Sequence, residues 1–128
     1  MEIAFEQFEL SYQIYDVNLA LLTLMSGLEN LFNLGEGEIS YTVSRNTAVL
    51  LGTNRDDAQN IYQNMKRLYK SRSEITHKGK PKKRVTHEDV NMLRSYLREC
   101  INFLGTLSLQ KADWNAKLNA AGFGQKLK

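Results

Sequence analysis

Tyr69-Lys70-Ser71-Arg72-Ser73-Glu74-Ile75-Thr76-His77 is the stretch from which the rest of the chain can be read. Ahead of it Ala58, Ile61, Met65 and Leu68 recur at steps of three and four, the apolar stripe of an amphipathic helix. Continued, the stripe reaches Arg72 and Ile75, so a permanent positive charge occupies a slot the pattern reserves for an apolar side chain. Ionised groups persist in such slots when they are paired or used. Five residues further on stands His77, the side-chain type that titrates nearest neutrality. An Arg and a His on a helix that runs into a lysine-rich loop point to phosphate chemistry. Two readings of Arg72 stay open from the residues alone. It is a phosphate ligand, or it is the structural partner of an acid such as Glu29 or Glu38, with His77 then a helix-end residue favoured by the dipole.

Outward from this stretch the helix boundaries are written in the sequence. Asn54 is a good N-cap, and Asp56 and Asp57 suit the positive end of the dipole. The predicted helix runs to about Lys78, where Gly79 and Pro81 prevent continuation. The loop Lys78 to Val85 is basic and, taken alone, a solvated surface. Thr86 with Asp89 three positions on forms a capping pair for the next helix, whose buried stripe is Val90, Leu93, Leu97, Cys100, Ile101 and Leu104. His87, in its first turn, is expected to face solvent. Gly105 should interrupt this helix, and Ser108 to about Ala121 should form a last one holding Trp114 and Leu118.

Toward the N-terminus a helix is expected from about Glu38 to Leu51, stopped by Gly52. Leu34-Gly35-Glu36-Gly37 reads as a turn; it lacks the third glycine and the Lys-Ser/Thr ending of phosphate loops. From Glu2 to about Phe32 two stripes overlap, Phe5, Phe8, Tyr12, Tyr15 and Leu19 on one, Val17, Leu21, Leu24, Leu28 and Leu31 on the other. Together they predict one long helix, roughly 45 Å at about 1.5 Å per residue, with Ser26-Gly27 as a bend. No segment alternates in the manner of a strand. The expected fold is all-α, an up-and-down bundle of four to five helices, mainly antiparallel because the connections are short. Residues 1–121 form one domain, and 122–128 a tail that should fray.

The 128 residues suit a single core. One cysteine, Cys100, allows no intrachain disulfide; it falls in an apolar pattern as a small core residue, and a reducing, cytoplasmic setting is expected. The densest apolar run, Val17 to Met25, is too short and too polar to span a bilayer, and Glu2 and Glu6 open the chain where a secretion signal would be basic, so no membrane partner is expected. The net charge of +3 conceals an asymmetry. Residues 1–65 carry nine acidic and two basic side chains, a balance of −7, whereas residues 66–84 carry nine basic ones against Glu74 alone, a balance of +8. Positive charge is focused where Arg72 and His77 lie, as an anionic ligand requires. Two histidines and one cysteine without paired spacing make no metal-ligand set, and neither metal nor cofactor is expected.

Leu28-Glu29-Asn30-Leu31-Phe32, Glu38-Ile39-Ser40-Tyr41, Ala48-Val49-Leu50-Leu51-Gly52 and Leu68 to His77 follow one another as successive blocks that resemble an Apea-like HEPN domain, over roughly residues 20–105. The resemblance implies a bundle built on a long antiparallel helix pair. It also implies a metal-independent ribonuclease whose cleft forms when two protomers bring their Arg and His motifs together. Carried over to this sequence, Arg72 and His77 are the catalytic pair and Ser73 the polar residue after the arginine. Lys70, Lys78, Lys80, Lys82, Lys83 and Arg84 would hold the RNA backbone without reading sequence. The alternative within the resemblance is a non-catalytic dimerisation or RNA-binding module of a larger protein, with an antitoxin or sensor partner outside the chain. His77 is followed by Lys78-Gly79, so the His-x-Tyr extension of HEPN toxins paired with nucleotidyltransferases is absent. Geometry adds an independent constraint: five residues on a helix set two side chains about 140° apart. Either the helix loosens near Gly79 or a second copy completes the cleft, which favours a homodimer.

Overall fold

Asp16 divides what the stripes predict to be one long helix. The computed structural model describes residues 1–32, 38–106 and 110–125, and in it helix α1 spans Glu2–Ser11 and α2 spans Val17–Phe32. Asp16 Oδ1 accepts from the Asn18 and Leu19 amides at 2.8 and 3.3 Å, starting α2 afresh. On the other side of the break the Ser11 hydroxyl donates to Phe8 O. Arg94 then donates from Nε to Ser11 Oγ at 3.0 Å and from Nη2 to Ser11 O at 3.1 Å, its guanidinium lying over the Tyr12 ring. A cation thus closes the negative end of α1. The single 45 Å helix is therefore incorrect: the first stripe crosses the break, with Phe5 and Phe8 on α1, Tyr12 and Tyr15 between the helices and Leu19 on α2, and α1 packs against α2.

α2 continues unbroken through Ser26-Gly27. Gly27 is explained by space: a Cβ there would lie 2.7 Å from Leu97 Cδ2 and 3.5 Å from Gln7 Cβ. α2 is the central helix, in contact with each of the other five, and Leu21, Leu24, Met25, Leu28 and Leu31 on it are fully buried.

The remaining helices are α3 (Ile39–Leu51), α4 (Arg55–Lys78), α5 (His87–Thr106) and α6 (Lys111–Ala120). The fold is all-α, with six helices and no strand among the described residues. α4 begins and ends where its caps say. Asn54 Oδ1 accepts from the Asp57 amide at 2.8 Å, and Gly79, at φ 80°, donates its N–H to Ile75 O at 2.9 Å. Gly52 does stop α3, but with φ −66° it needs no glycine for its backbone; a Cβ there would meet Ala58 Cβ at 2.5 Å, so the small residue admits α4.

The capping pair opening α5 is reciprocal: the Asp89 amide donates to Thr86 Oγ1 at 3.0 Å and the Thr86 amide to Asp89 Oδ2 at 3.2 Å. Arg67 of α4 adds an ion pair to Asp89 Oδ1 at 3.1 Å. Partial burial pushes the Asp89 carboxyl up, but the Thr86 amide and Arg67 outweigh it and hold the group below its ordinary 3.8. A depressed folded value means that Asp89 stabilises the protein fully above the unfolded pKa and loses that contribution as pH falls through the folded one. Asp89→Asn is therefore expected to cost about 1 kcal/mol at neutral pH. In paired thermal melts across pH, the gap between variant and parent should close below 3.8.

α5 ends at Thr106, one residue past Gly105. α6 is held by polar contacts that its composition did not advertise. Trp114 Nε1 and Asn115 Nδ2 both donate to Leu31 O at 3.0 Å, Asn46 Nδ2 donates to Asn119 Oδ1 at 3.2 Å, and Arg45 donates to Leu118 O and Ala121 O at its C-terminal end. Residues 122–125 form a turn in which the Gly122 amide donates to Gln125 Oε1, and Phe123 packs on Tyr62. The expected Leu34–Gly37 turn, the Ser108 helix start and the last three residues lie outside the described residues. No described helix is long and apolar enough to cross a membrane.

Candidate nucleic-acid interface

Lys66, Lys70, Ser73 and His77 are spaced four, three and four apart, which puts them on one ridge of α4 within an arc of about 60°. Lys70, Ser73 and His77 are exposed on this ridge; Lys66 is half-buried and donates from Nζ to Ser40 Oγ at 3.4 Å. Arg72 lies beside the ridge, about 140° round the axis from His77, because α4 is regular through Lys78 and does not loosen before Gly79. Arg72 and Ser73 line one cleft together with Lys66 and Lys70, whereas His77, one turn beyond Ser73 along the ridge, does not line it.

The cleft is a depression of about 560 Å³ between α2, α3 and α4, with Glu29, Ile39, Ser40 and Arg72 on its walls. Of the two acids that could have paired with Arg72, the fold selects Glu29: Arg72 Nη2 is 3.2 Å from Glu29 Oε1, with the side chains 35% and 15% exposed. An ion pair this open to solvent contributes less than about 1 kcal/mol. It uses one of the five N–H donors of the guanidinium, so Arg72 keeps others for an anion. Tyr69 lies beneath, buried, with Arg72 over its ring and its hydroxyl close to the Glu29 carboxylate. Burial first, then the Glu29 charge, push the Tyr69 hydroxyl far above the ordinary phenol range against the pull of Arg72, so it remains neutral. Removing the competing carboxylate should favour an anionic ligand. Glu29→Gln is expected to tighten binding of a short RNA about five-fold, which corresponds to roughly 1 kcal/mol of relieved repulsion, with little change in thermal midpoint; filter binding checks it.

Across Lys70 from the cleft lies a smaller hollow of about 190 Å³, where the basic loop returns onto α4. The return is fixed by the Lys82 amide, which donates to Glu74 Oε1 at 3.0 Å. Lys82, Lys83 and Arg84 are thereby gathered with Arg67 and Lys70 around one hollow. Lys78 and Lys80 are exposed but line neither depression. Lys66 and Arg67 were not singled out from the sequence. The three-and-four spacing through Lys70 and His77 would have found Lys66; Arg67 needed the position of the loop. Among the described residues no group of three or more His, Cys, Asp or Glu is placed to hold a metal ion. Cys100 is fully buried, and burial raises its thiol well above the usual range, which leaves it a core residue. Comparison with family models, curated proteins and solved structures found no match to this chain.

Proposed function

We propose that this chain is a metal-independent endoribonuclease of the HEPN type, acting as a homodimer whose cleft joins Arg72 and His77 across two copies. The observation that carries the reading is the split within one chain. Arg72 waits in a cleft beside a dense cationic face, while His77 ends the Lys66–Lys70–Ser73 ridge exposed, with no described hydrogen-bond partner. A two-fold contact along α4 would supply each imidazole with a guanidinium, since its own chain sets Arg72 about 140° away round the helix. Ile39, exposed on the rim of the cleft, gives such a contact an apolar element.

In this mechanism the ribose 2′-oxygen attacks the adjacent phosphorus, forming the O2′–P bond as the P–O5′ bond breaks. The imidazole set against the other copy's Arg72 accepts the 2′-hydroxyl proton, and the imidazolium it becomes gives a proton to the departing 5′-oxygen. Arg72 holds the non-bridging oxygens with its planar fork and offsets their growing charge, with the Ser73 hydroxyl beside it. Lys70, Lys82, Lys83 and Arg84 hold the backbone on the near side, and Lys78 and Lys80 extend the cationic surface. The products are a 2′,3′-cyclic phosphate and a 5′-hydroxyl. On the same reading the setting is cytoplasmic, in a toxin or phage-defence role with its trigger in an antitoxin or sensor outside this chain.

One observation favours a second reading. The Glu29 carboxylate already neutralises Arg72, as suits a dimerisation or RNA-binding module without catalysis. The two separate in one assay. Single-stranded RNA incubated with the protein in excess chelator should yield fragments ending in 2′,3′-cyclic phosphate, while DNA of the same sequence stays intact. Retention of RNA without cleavage would select the second reading, and neither binding nor cleavage would sink both.

A further inference from the structure

We infer that the RNA is bound as a single strand, along a track that leads from the Arg72 cleft over Lys70 and Arg84 to a base-stacking pocket made by Tyr15 and His87. The inference rests on the RNA reading above and adds the form of the substrate and the end of its path. The Arg72 cleft and the basic hollow share Lys70 as a wall. The basic hollow in turn shares Arg84 with a third depression of about 600 Å³ at the start of α2 and α5. Three hollows therefore adjoin in sequence, each joined to the next by a cation.

Their chemistry changes along the way. In the basic hollow five cations face Glu74 and Asp89, and both acids are engaged, with the Lys82 amide and with Arg67 and Thr86. In the third depression Arg84 is the one cation among the described lining residues, against the carboxylates of Asp16 and Glu88. Asp16 Oδ1 is occupied by the Asn18 and Leu19 amides. Such a balance does not attract a phosphate. What it offers instead is a phenol ring 97% exposed at Tyr15, the exposed imidazole of His87, and apolar walls at Val17 and Val85. These groups suit the flat face of a base, and the volume admits one nucleotide. A lone exposed tyrosine carries no message by itself; this one stands where a cationic path ends. Bases inside a duplex have their faces covered by their neighbours, so the pocket selects unpaired strands.

The test uses the full chain and a short fluorescein-labelled 2′-O-methyl oligoadenylate, which cannot be cleaved, beside a duplex of equal length. Fluorescence anisotropy should show the single strand bound more tightly. Tyr15→Ala should weaken the strand about ten-fold with its salt dependence unchanged and leave the duplex alone, whereas Tyr15→Phe, which keeps the ring, should bind as the parent does. Lys82→Ala with Lys83→Ala should weaken both ligands and flatten the salt dependence. The inference is overturned if Tyr15→Ala binds the strand like the parent, if it loses strand and duplex equally, or if the parent prefers the duplex. A silent Tyr15→Ala beside a weakened lysine variant sinks the track and leaves the RNA reading standing. A parent that binds neither ligand sinks both.

Discussion

His77→Ala is expected to lower chelator-resistant RNA cleavage by about two to four orders of magnitude, the usual worth of a positioned general acid or base. The fold should not notice. His77 is exposed near the end of α4, no described residue hydrogen-bonds to its side chain, and the helix is closed two residues later by Gly79, whose backbone cap is independent of residue 77. Activity and circular-dichroism melts on the same preparation therefore separate chemistry from stability. A further arm tests the dimer. A mixture of His77→Ala and Arg72→Ala chains, each inactive alone, contains heterodimers that still hold one intact guanidinium and one intact imidazole. Recovered cleavage on mixing is the expected result, and it would be absent if each chain worked by itself. If His77→Ala cuts RNA at the parental rate, the nuclease reading is lost.

The second large effect concerns the seam between α2 and α5. Leu97→Ala is expected to destabilise the protein by about 3 kcal/mol, because a fully buried leucine leaves both lost transfer energy and a cavity. For a domain of this size that lowers the thermal midpoint by roughly 10 °C or more. Gly27 makes the prediction sharper. In the parent, Gly27→Ala brings a Cβ to within 2.7 Å of Leu97 Cδ2, so the leucine must shift and stability should fall. In the Leu97→Ala background that atom is gone. There Gly27→Ala should gain stability, since it fills part of the cavity and replaces a mid-helix glycine, worth about 1 kcal/mol. A double-mutant cycle by denaturant titration should thus show the same substitution with opposite signs. Equal signs would mean that space is not why residue 27 is glycine.

Arg72 and Glu29 show how far a residue pattern carries a site. An arginine in an apolar slot announced that it would be paired or used, and the pairing with an acid was one of the two readings open from the start. Which acid, Glu29 or Glu38, depends on how α2 and α3 lie against α4, and no spacing within α4 contains that. The relation of Arg72 to His77 was legible in advance, because rotation per residue is a property of any α-helix. The gathering of Lys82, Lys83 and Arg84 around Lys70 was not, because it turns on one amide of the loop reaching Glu74.

The sequence by itself determined the helical class, the limits of α4 and the opening of α5, because caps and apolar stripes act over three or four residues and need no distant partner. Only the tertiary structure decided the seat of α6 and the choice of Glu29, and at the break at residues 12–16 it adds to the local Asp16 cap. Arg94 holds the end of α1 from 83 residues away, and Arg45 holds the end of α6 from 73 and 76. Contacts of that range depend on where whole helices come to rest, and the hydrophobic packing that sets those positions is summed over the entire core.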